Sequence, residues 1–316
     1  EGNWVAISAS AISLCLLFSL YGLAVSLATT PYLALVIDMT NEEERPRAVG
    51  IIWCMLTVGI VIGAIAISIT TKGLDGVSDP VLLQPALQKF MTWVSGIVLV
   101  ITCIACWGIE PKERKTINST NVNSNKNVGL KDAWSIITSS PQIIIFFTFL
   151  ILYTLGLFLQ DPILESYGAE VFNLPISKTT LLNAFWGVGT LIGLLIGGLF
   201  ITPKLGKLST ARIGCWMIAI SLLLLISSGI TKNTNGLFGV LVIFGLAAGI
   251  ATNSALSLML DLTLPEMAGT LVGVWGLAQA LSRAMGKIFG GGLLDLGRII
   301  SGPNNPLLAF SFVFIL

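Results

Sequence analysis

The sequence contains no histidine, and only 10% of its 316 residues are charged. The first absence removes imidazole bases, histidine metal sites and the usual histidine ligand of a haem iron or a chlorophyll magnesium. The second is equally restrictive. A soluble domain carries about 25% charged residues, so water cannot be the solvent for most of this surface. A net charge of +1 offers no whole-chain attraction for nucleic acid or an acidic partner. The sequence also has no phosphate-cradling loop, no nucleophile–base pair and no metal-ligating cluster, so neither catalysis, a metal site nor nucleic-acid binding is expected. Cysteine is sparse, at five. Cys103 and Cys106 form a C-x-x-C, but Ile104, Ala105 and Trp107 supply no further ligand or polar neighbour, and the pair reads as two small apolar residues.

What is present is apolar length. Hydrophobic residues make up 54% and the mean hydropathy is +0.90. A spanning helix needs about 20 apolar residues. Runs near that length fall at Ala11–Ile37, Ala48–Ile69, Phe90–Trp107, Ile143–Leu159, Leu181–Ile201, Ile213–Ile230, Leu237–Leu260 and Leu271–Leu294, with a ninth starting at Leu307. The expected fold class is an all-α polytopic membrane protein. The ninth run is too short to span and the chain opens Glu1-Gly2-Asn3-Trp4, so a piece of a longer protein is expected. Residues 111–141 interrupt the pattern with Lys112, Glu113, Arg114 and Lys115 and an Asn/Ser-rich stretch from Asn118 to Asn127, the composition of a flexible linker. Lys131 to Ile137, with Trp134, suits a short helix on the membrane surface. The expected organisation is therefore 1–110 with three spans, 111–141 as a cytoplasmic or stromal linker, and 142–316 with five spans and the start of a sixth.

Basic residues orient the spans. Arg45, Arg47, Lys112, Arg114, Lys115, Lys126, Lys131, Lys204, Lys207 and Arg212 fall on one side; Lys72, Lys89, Lys178, Lys232 and Arg298 fall on the other. The side with ten is expected to be cytoplasmic, or stromal in a photosynthetic membrane.

An internal repeat organises the chain. Residues 22–50 align with 245–273 at a constant offset of 223, with 12 identities in 29 positions. Shared leucine and alanine follow from composition, but Asp38/Asp261, Glu43/Glu266 and Gly50/Gly273 in one register do not. Both copies read as helix, acidic turn, helix in one orientation, the parallel-repeat arrangement of two transporter halves.

The first copy runs Asp38-Met-Thr-Asn-Glu-Glu-Glu-Arg45-Pro-Arg47-Ala-Val-Gly50, then Gly59 and Gly63. This resembles the major facilitator superfamily at the turn between helices 4 and 5. The resemblance implies a major facilitator fold seen here from helix 4 to helix 12, with the first three helices absent and the last truncated. A narrower resemblance lies in Leu159-Gln160-Asp161-Pro-Ile-Leu-Glu165-Ser-Tyr167-Gly168-Ala-Glu170-Val-Phe172, in Thr30 to Leu35, and in Gly50-Ile-Ile-Trp53. These segments are similar to the PucC-type family, the chlorophyll and bacteriochlorophyll delivery branch of that superfamily. The resemblance implies a role in assembling light-harvesting or photosystem complexes in a thylakoid or photosynthetic inner membrane. Its implied partners are chlorophyll or bacteriochlorophyll, the complex apoproteins and lipid. Two rival functions remain open: a secondary transporter of a small polar solute, and a facilitator-fold subunit retained in a photosynthetic complex.

Few residues could carry such work. Counting from Met267 at ~1.5 Å per residue, Arg283 lies ~24 Å into a ~30 Å core. A charge there costs a few kcal/mol or more unless it is paired or wet. Lys287 shares its face at i, i+4. Asp161 and Glu165 form a matching acidic pair near the same end if their helix continues past Pro162, and either is the expected partner of Arg283. The alternative is that both cations snorkel to the interface. Gln160, Asn183, Asn253 and Gln279 are amides in or beside spans, each able to offer an oxygen to a chlorophyll magnesium or to bond between helices. Asp38, Glu43, Arg45, Arg47, Asp261 and Glu266 suit a latch at the cytoplasmic helix ends, or plain helix-cap acids in a solvated turn. The glycine rows 187/189/193/197 and 286/290/291/292 permit close helix approach.

The alternation of basic residues fixes a topology test. Cysteines introduced at Asp38, Lys115, Lys207 and Asp261 should label from one side of the membrane, and those at Asp79, Lys178, Lys232 and Arg298 from the other. Lys115 and Lys178 labelling from the same side would dismantle the span assignment.

Overall fold

The computed structural model describes residues 10–25, 27–28, 45–75, 80–107, 138, 141–262, 268–302 and 305–316, of which 45–50, 80, 82–83, 260–262 and 268–273 are described by backbone alone. These residues are helical almost throughout. A chain in lipid has no water to satisfy its backbone N–H and C=O groups, and a helix satisfies them within one segment.

Helix α1 spans Ser10–Val25. Then come α2 (Arg45–Thr71) with a 3₁₀ turn at Lys72–Leu74, α3 (Pro80–Cys106), α4 (Pro141–Leu159), α5 (Leu164–Phe172) and α6 (Ile176–Ile196). Helix α6 runs on through a π-helical turn, Gly197–Ile201, and a last turn, Thr202–Leu205; α7 (Lys207–Thr231), α8 (Thr234–Leu262), α9 (Ala268–Ser301) and α10 (Pro306–Ile315) follow. Pro80, Pro141 and Pro306 open their helices, where proline's missing N–H has no intrahelical partner to lose. Helix α5 ends at Asn173 with φ 54° and α7 at Lys232 with φ 49°, both left-handed caps.

Among the described residues, six helical segments are long and apolar enough to cross a membrane: Ile51–Leu74, Gln84–Cys106, Pro141–Phe172, Ile176–Leu205, Lys207–Thr231 and Thr234–Met259. They match six of the eight expected spans. The expected span Ala11–Ile37 is described only in part, as α1. The expected span Leu271–Leu294 lies inside α9, which at 34 residues has ample length. Its apolar content is diluted by Arg283, Lys287, Asp295, Arg298 and its glycines, so it falls outside the six. The linker (apart from Thr138), the surface helix at 131–137, and the repeat's turns at 29–44 and 263–267 lie outside the described residues.

The chain divides into two compact units, 1–56 and 57–316. In the first, α1 carries exposed large apolar side chains such as Leu17 and Phe18. In the second, α6, α7 and α8 pack most closely. A Cβ at Gly189 would overlap the carbonyl oxygen of Val242, and one at Gly193 that of Leu246. The relation is reciprocal: a Cβ at Gly245 would strike the Trp186 carbonyl, and one at Gly249 that of Thr190. Helices in lipid gain nothing from burying apolar surface against each other, so small residues that admit backbone-to-backbone contact hold them together. The second glycine row divides. Gly286 and Gly290 press on the α4 backbone at Leu155 and Leu159, whereas Gly291 and Gly292 have nothing within 4 Å.

Two ends are distinguished by their contacts. At one, α5, the start of α6, the end of α7 and α10 meet around Tyr167, which is 0% exposed. At the other, Lys207 Nζ donates to the Ser257 carbonyl and Asn253 Nδ2 to Thr202 Oγ1, joining α6, α7 and α8. Lys178, Lys232 and Arg298 sit on elements of the first end, Lys204 and Lys207 at the second.

Opposite responses to the same substitution test this packing. Gly193→Ala should destabilise the protein by ~1–3 kcal/mol, because backbone cannot yield to a methyl group. Gly291→Ala should leave stability unchanged or raise it by up to ~1 kcal/mol, as alanine does in an open helix position. Thermal unfolding in detergent reads both, and losses of equal size would contradict the packing.

Candidate functional site

The expected site residues converge on the junction between α4, α5 and α9. Pro162 has no N–H for the Phe158 carbonyl and its ring crowds that position. Helix α4 therefore stops at Leu159. The Gln160 carbonyl accepts from Ile163 N at 3.1 Å and Leu164 N at 3.0 Å, and α5 restarts from that turn. Asp161 and Glu165 accordingly lie on either side of a break, not on one continuous helix face.

Each acid takes a different partner. Asp161 Oδ2 lies 2.8 Å from Lys287 Nζ, with side chains 38% and 54% exposed. Glu165 accepts from Asn183 Nδ2 on α6 at 2.6 Å. Arg283 donates from Nη2 to Gln279 Oε1 at 3.0 Å, and its guanidinium carbon stands 4.8 Å from the centroid of the Phe158 ring. Lys287, one turn beyond Arg283, is thus an ion-pair partner of Asp161. The reason is the level at which the helices cross: Gly286 and Gly290 seat α9 against Leu155–Leu159, which sets Arg283 beside Phe158 and Lys287 beside the turn. Arg283 is half-buried against protein, and its charge is met by an aromatic face and an amide oxygen.

The four amides separate by environment. Gln279 is buried and its oxygen accepts from Arg283. Asn183 joins Glu165. Asn253 stands at the opposite end, on Thr202, and the structure does not bring it to this junction. Gln160 is 5% exposed, and its Oε1 has no hydrogen-bond partner among the described residues. Buried acceptors are nearly always satisfied. Thr154 Oγ1 on α4 and Trp275 Nε1 on α9 share that condition. Of the latch residues, Asp38, Glu43 and Glu266 lie outside the described residues; Arg45, Arg47 and Asp261 are helical, with backbone alone described.

Sequence reasoning missed three contacts. Glu170 accepts from Arg298 Nη2 at 2.6 Å, a second ion pair between α5 and α9. Tyr167 donates to the Leu225 carbonyl at 2.6 Å and meets Phe172, Phe310 and Phe314 edge-on. Asp75 accepts from the backbone N–H of Ser177 at 3.2 Å and from its hydroxyl, so a carboxylate 102 residues away satisfies the N-terminus of α6. The signal for the first two was in the Gln160–Phe172 segment itself; nothing local marks the third.

A family model for the PUCC protein matches residues 1–316. The chain belongs to the PUCC protein family. Relatives include Protein PucC of Rhodovulum sulfidophilum, 25% identical over 96% of this chain and 65% of that protein. Protein PucC of Rhodobacter capsulatus is 26% identical over 99% of this chain and 67% of its own length. A Rhodobacter capsulatus protein named bacteriochlorophyll synthase 44.5 kDa chain is 28% identical over 89% of this chain and 64% of that one. This chain thus spans about two thirds of the length of the curated PucC relatives it matches. No solved structure matches it. With six apolar spanning segments, this PucC-family chain is an integral membrane protein.

In this PucC-family chain the two cations of α9 should differ in weight. Arg283→Ala removes a charged hydrogen bond and a cation–π contact from a half-buried site, a loss of about 2 kcal/mol or more. Lys287→Ala breaks an exposed ion pair worth ~0.2–1 kcal/mol. Thermal unfolding of the two variants decides the order, and a larger loss for Lys287→Ala would reverse it.

Proposed function

We propose that this protein is a membrane assembly factor that handles or delivers chlorophyll or bacteriochlorophyll while light-harvesting or photosystem complexes are built. Family membership along the whole chain carries this reading. The name of the relative called bacteriochlorophyll synthase supports the pigment context. That name does not extend to catalysis here, because no nucleophile–base pair occurs in the sequence, and the proposed role is non-enzymatic. The architecture we assign is a major facilitator fold from helix 4 onward, with three spans before the 111–141 linker and the remainder after it. The parallel repeat at an offset of 223 supports that assignment. The membrane is a thylakoid or a photosynthetic inner membrane, and the clients are the complex apoproteins.

Among the site residues, Gln160 fits a pigment best. With no histidine in this sequence, an oxygen donor such as an amide, a carboxylate, a backbone carbonyl or water would have to hold the magnesium. Gln160 Oε1 is a buried oxygen with no hydrogen-bond partner among the described residues, whereas the Gln279 oxygen is engaged by Arg283. The pigment supplies a Lewis-acidic magnesium and a flat apolar ring. Gln160 would hold the metal directly or through water, and Lys287 and Asp161 would bound the polar edge of the site. The rival reading, a transporter of a small polar solute, would use the charged groups Arg283, Lys287 and Asp161 at this same junction.

The test is the visible absorption of protein purified from a pigment-synthesising membrane. Co-purified chlorophyll or bacteriochlorophyll is expected. Gln160→Leu should remove it and Asn253→Leu should retain it. Folded protein that carries no pigment would sink the reading and favour the transporter.

A further inference from the structure

Contacts reach across the 111–141 linker, from α2 to α6, within the larger unit. Helix α6 begins at Ile176, and Pro175 before it makes no side-chain cap hydrogen bond. Lys178 N and Thr179 N turn to the Pro175 carbonyl, which leaves the Ser177 N–H among the orphan donors of a helix start. Asp75, in the turn that closes α2, accepts it at 3.2 Å and takes the Ser177 hydroxyl on its other oxygen. Further along the same two helices Val61 nests on Gly187, where a Cβ would lie 2.7 Å from the valine Cγ2. The later residue of α2 meets the earlier residue of α6, so both contacts lie on one antiparallel seam. Buried Thr57, Ala64, Ser68 and Thr71 share the Val61 face of α2 at helical spacing, and buried Ser177, Thr180 and Ala184 share the Gly187 face of α6.

We propose that Asp75 and the start of α6 form a releasable clasp. The carboxylate holds the end of α2 to the bundle that follows the linker, and when it lets go the α2–α6 seam parts from that end. Two observations make this the seam that yields. Helix α6 meets α8 backbone on backbone at Gly189 and Gly193, whereas it meets Val61 through the tip of a side chain, which can move away. The hydroxyls of Thr71 and Thr180 turn back on their own helices, to the Ile67 and Ile176 carbonyls at 2.8 and 3.0 Å, so neither donates across the seam. Helix association in lipid rests on packing and on interhelical polar bonds, and the bonds to one carboxylate therefore hold a large share of this seam. Asn183, the partner of Glu165, lies one turn from Gly187 on the same face. Parting the seam opens a way from the Lys178 end toward that pair. The clasp rests on the assignment of two halves joined at 111–141, and not on any pigment.

Labelling with a membrane-impermeant maleimide tests the clasp, in the full chain with its five cysteines replaced by alanine. Ser68→Cys, at a buried position of the seam, should label slowly from the side that carries Lys178. Asp75→Ala should speed that labelling about tenfold, the weight of a hydrogen bond to a charged group. Asp75→Asn, which keeps one carbonyl acceptor, should fall between the two. Ser221→Cys, buried on α7 and off the seam, should label no faster in Asp75→Ala. Joining Asp75→Cys to Ser177→Cys as a disulfide before labelling should slow Ser68→Cys below its rate with the native clasp. The proposal fails if Asp75→Ala leaves the Ser68→Cys rate unchanged. It fails equally if Ser221→Cys accelerates alongside, which would mark a loosened bundle, or if the disulfide leaves labelling as fast as before. The readout needs no pigment, so failure of the clasp and failure of the pigment reading are told apart.

Discussion

Everything in the larger unit depends on how closely α6 and α8 approach. In lipid the hydrophobic effect does not distinguish helix–helix from helix–acyl contact, so association rests on van der Waals packing and on interhelical polar bonds. Gly189 and Gly193 on one helix and Gly245 and Gly249 on the other let backbone meet backbone. The same device continues at lower intensity elsewhere: Gly214 against Ala251 sets α7 on α8, and Gly290 against Leu159 sets α9 on α4. These close approaches set the level at which α9 crosses α4, and with it the places of Arg283 and Lys287.

The segment from Gln160 to Phe172 behaves as a bracket on that scaffold. Proline at 162 breaks the helix, and the short α5 that follows ties to four elements. Asp161 and Glu170 reach α9, Glu165 reaches α6, and Tyr167 reaches the α7 backbone and the aromatic rings of α10. Gly168 is confined by Leu182, which explains a glycine in the middle of a nine-residue helix. The motif that carries the family resemblance is therefore, residue by residue, a packing and pairing device. Gln160 is the exception, because its buried oxygen meets no donor among the described residues.

Scarcity gives each charge a place. The chain has 33 charged residues, 17 basic and 16 acidic, and those of the junction come as pairs or face aromatic and amide groups. Arg283 is the deepest of them in sequence terms, and Phe158 and Gln279 are among the groups that meet it. A guanidinium tolerates this better than an ammonium would, being planar and weakly hydrated. Lys287, one turn closer to the end, is exposed enough to keep a conventional ion pair and to lean toward the interface.

The amino-acid sequence by itself determined the class of solvent, the number and position of most spanning helices, the glycine rows, and the family, because these rest on composition, run length and local motif. It also singled out Asp161, Glu165, Arg283 and Lys287 as one neighbourhood, since depth along a helix can be counted. Which of them pair was decided by the tertiary structure, because the crossing level of α9 on α4 depends on where Gly286 and Gly290 seat. The same holds for Asp75 at the head of α6 and for Arg298 on Glu170. Each joins residues far apart in the chain, and no period or spacing in a linear sequence encodes the separation of two helices that only a third holds in place.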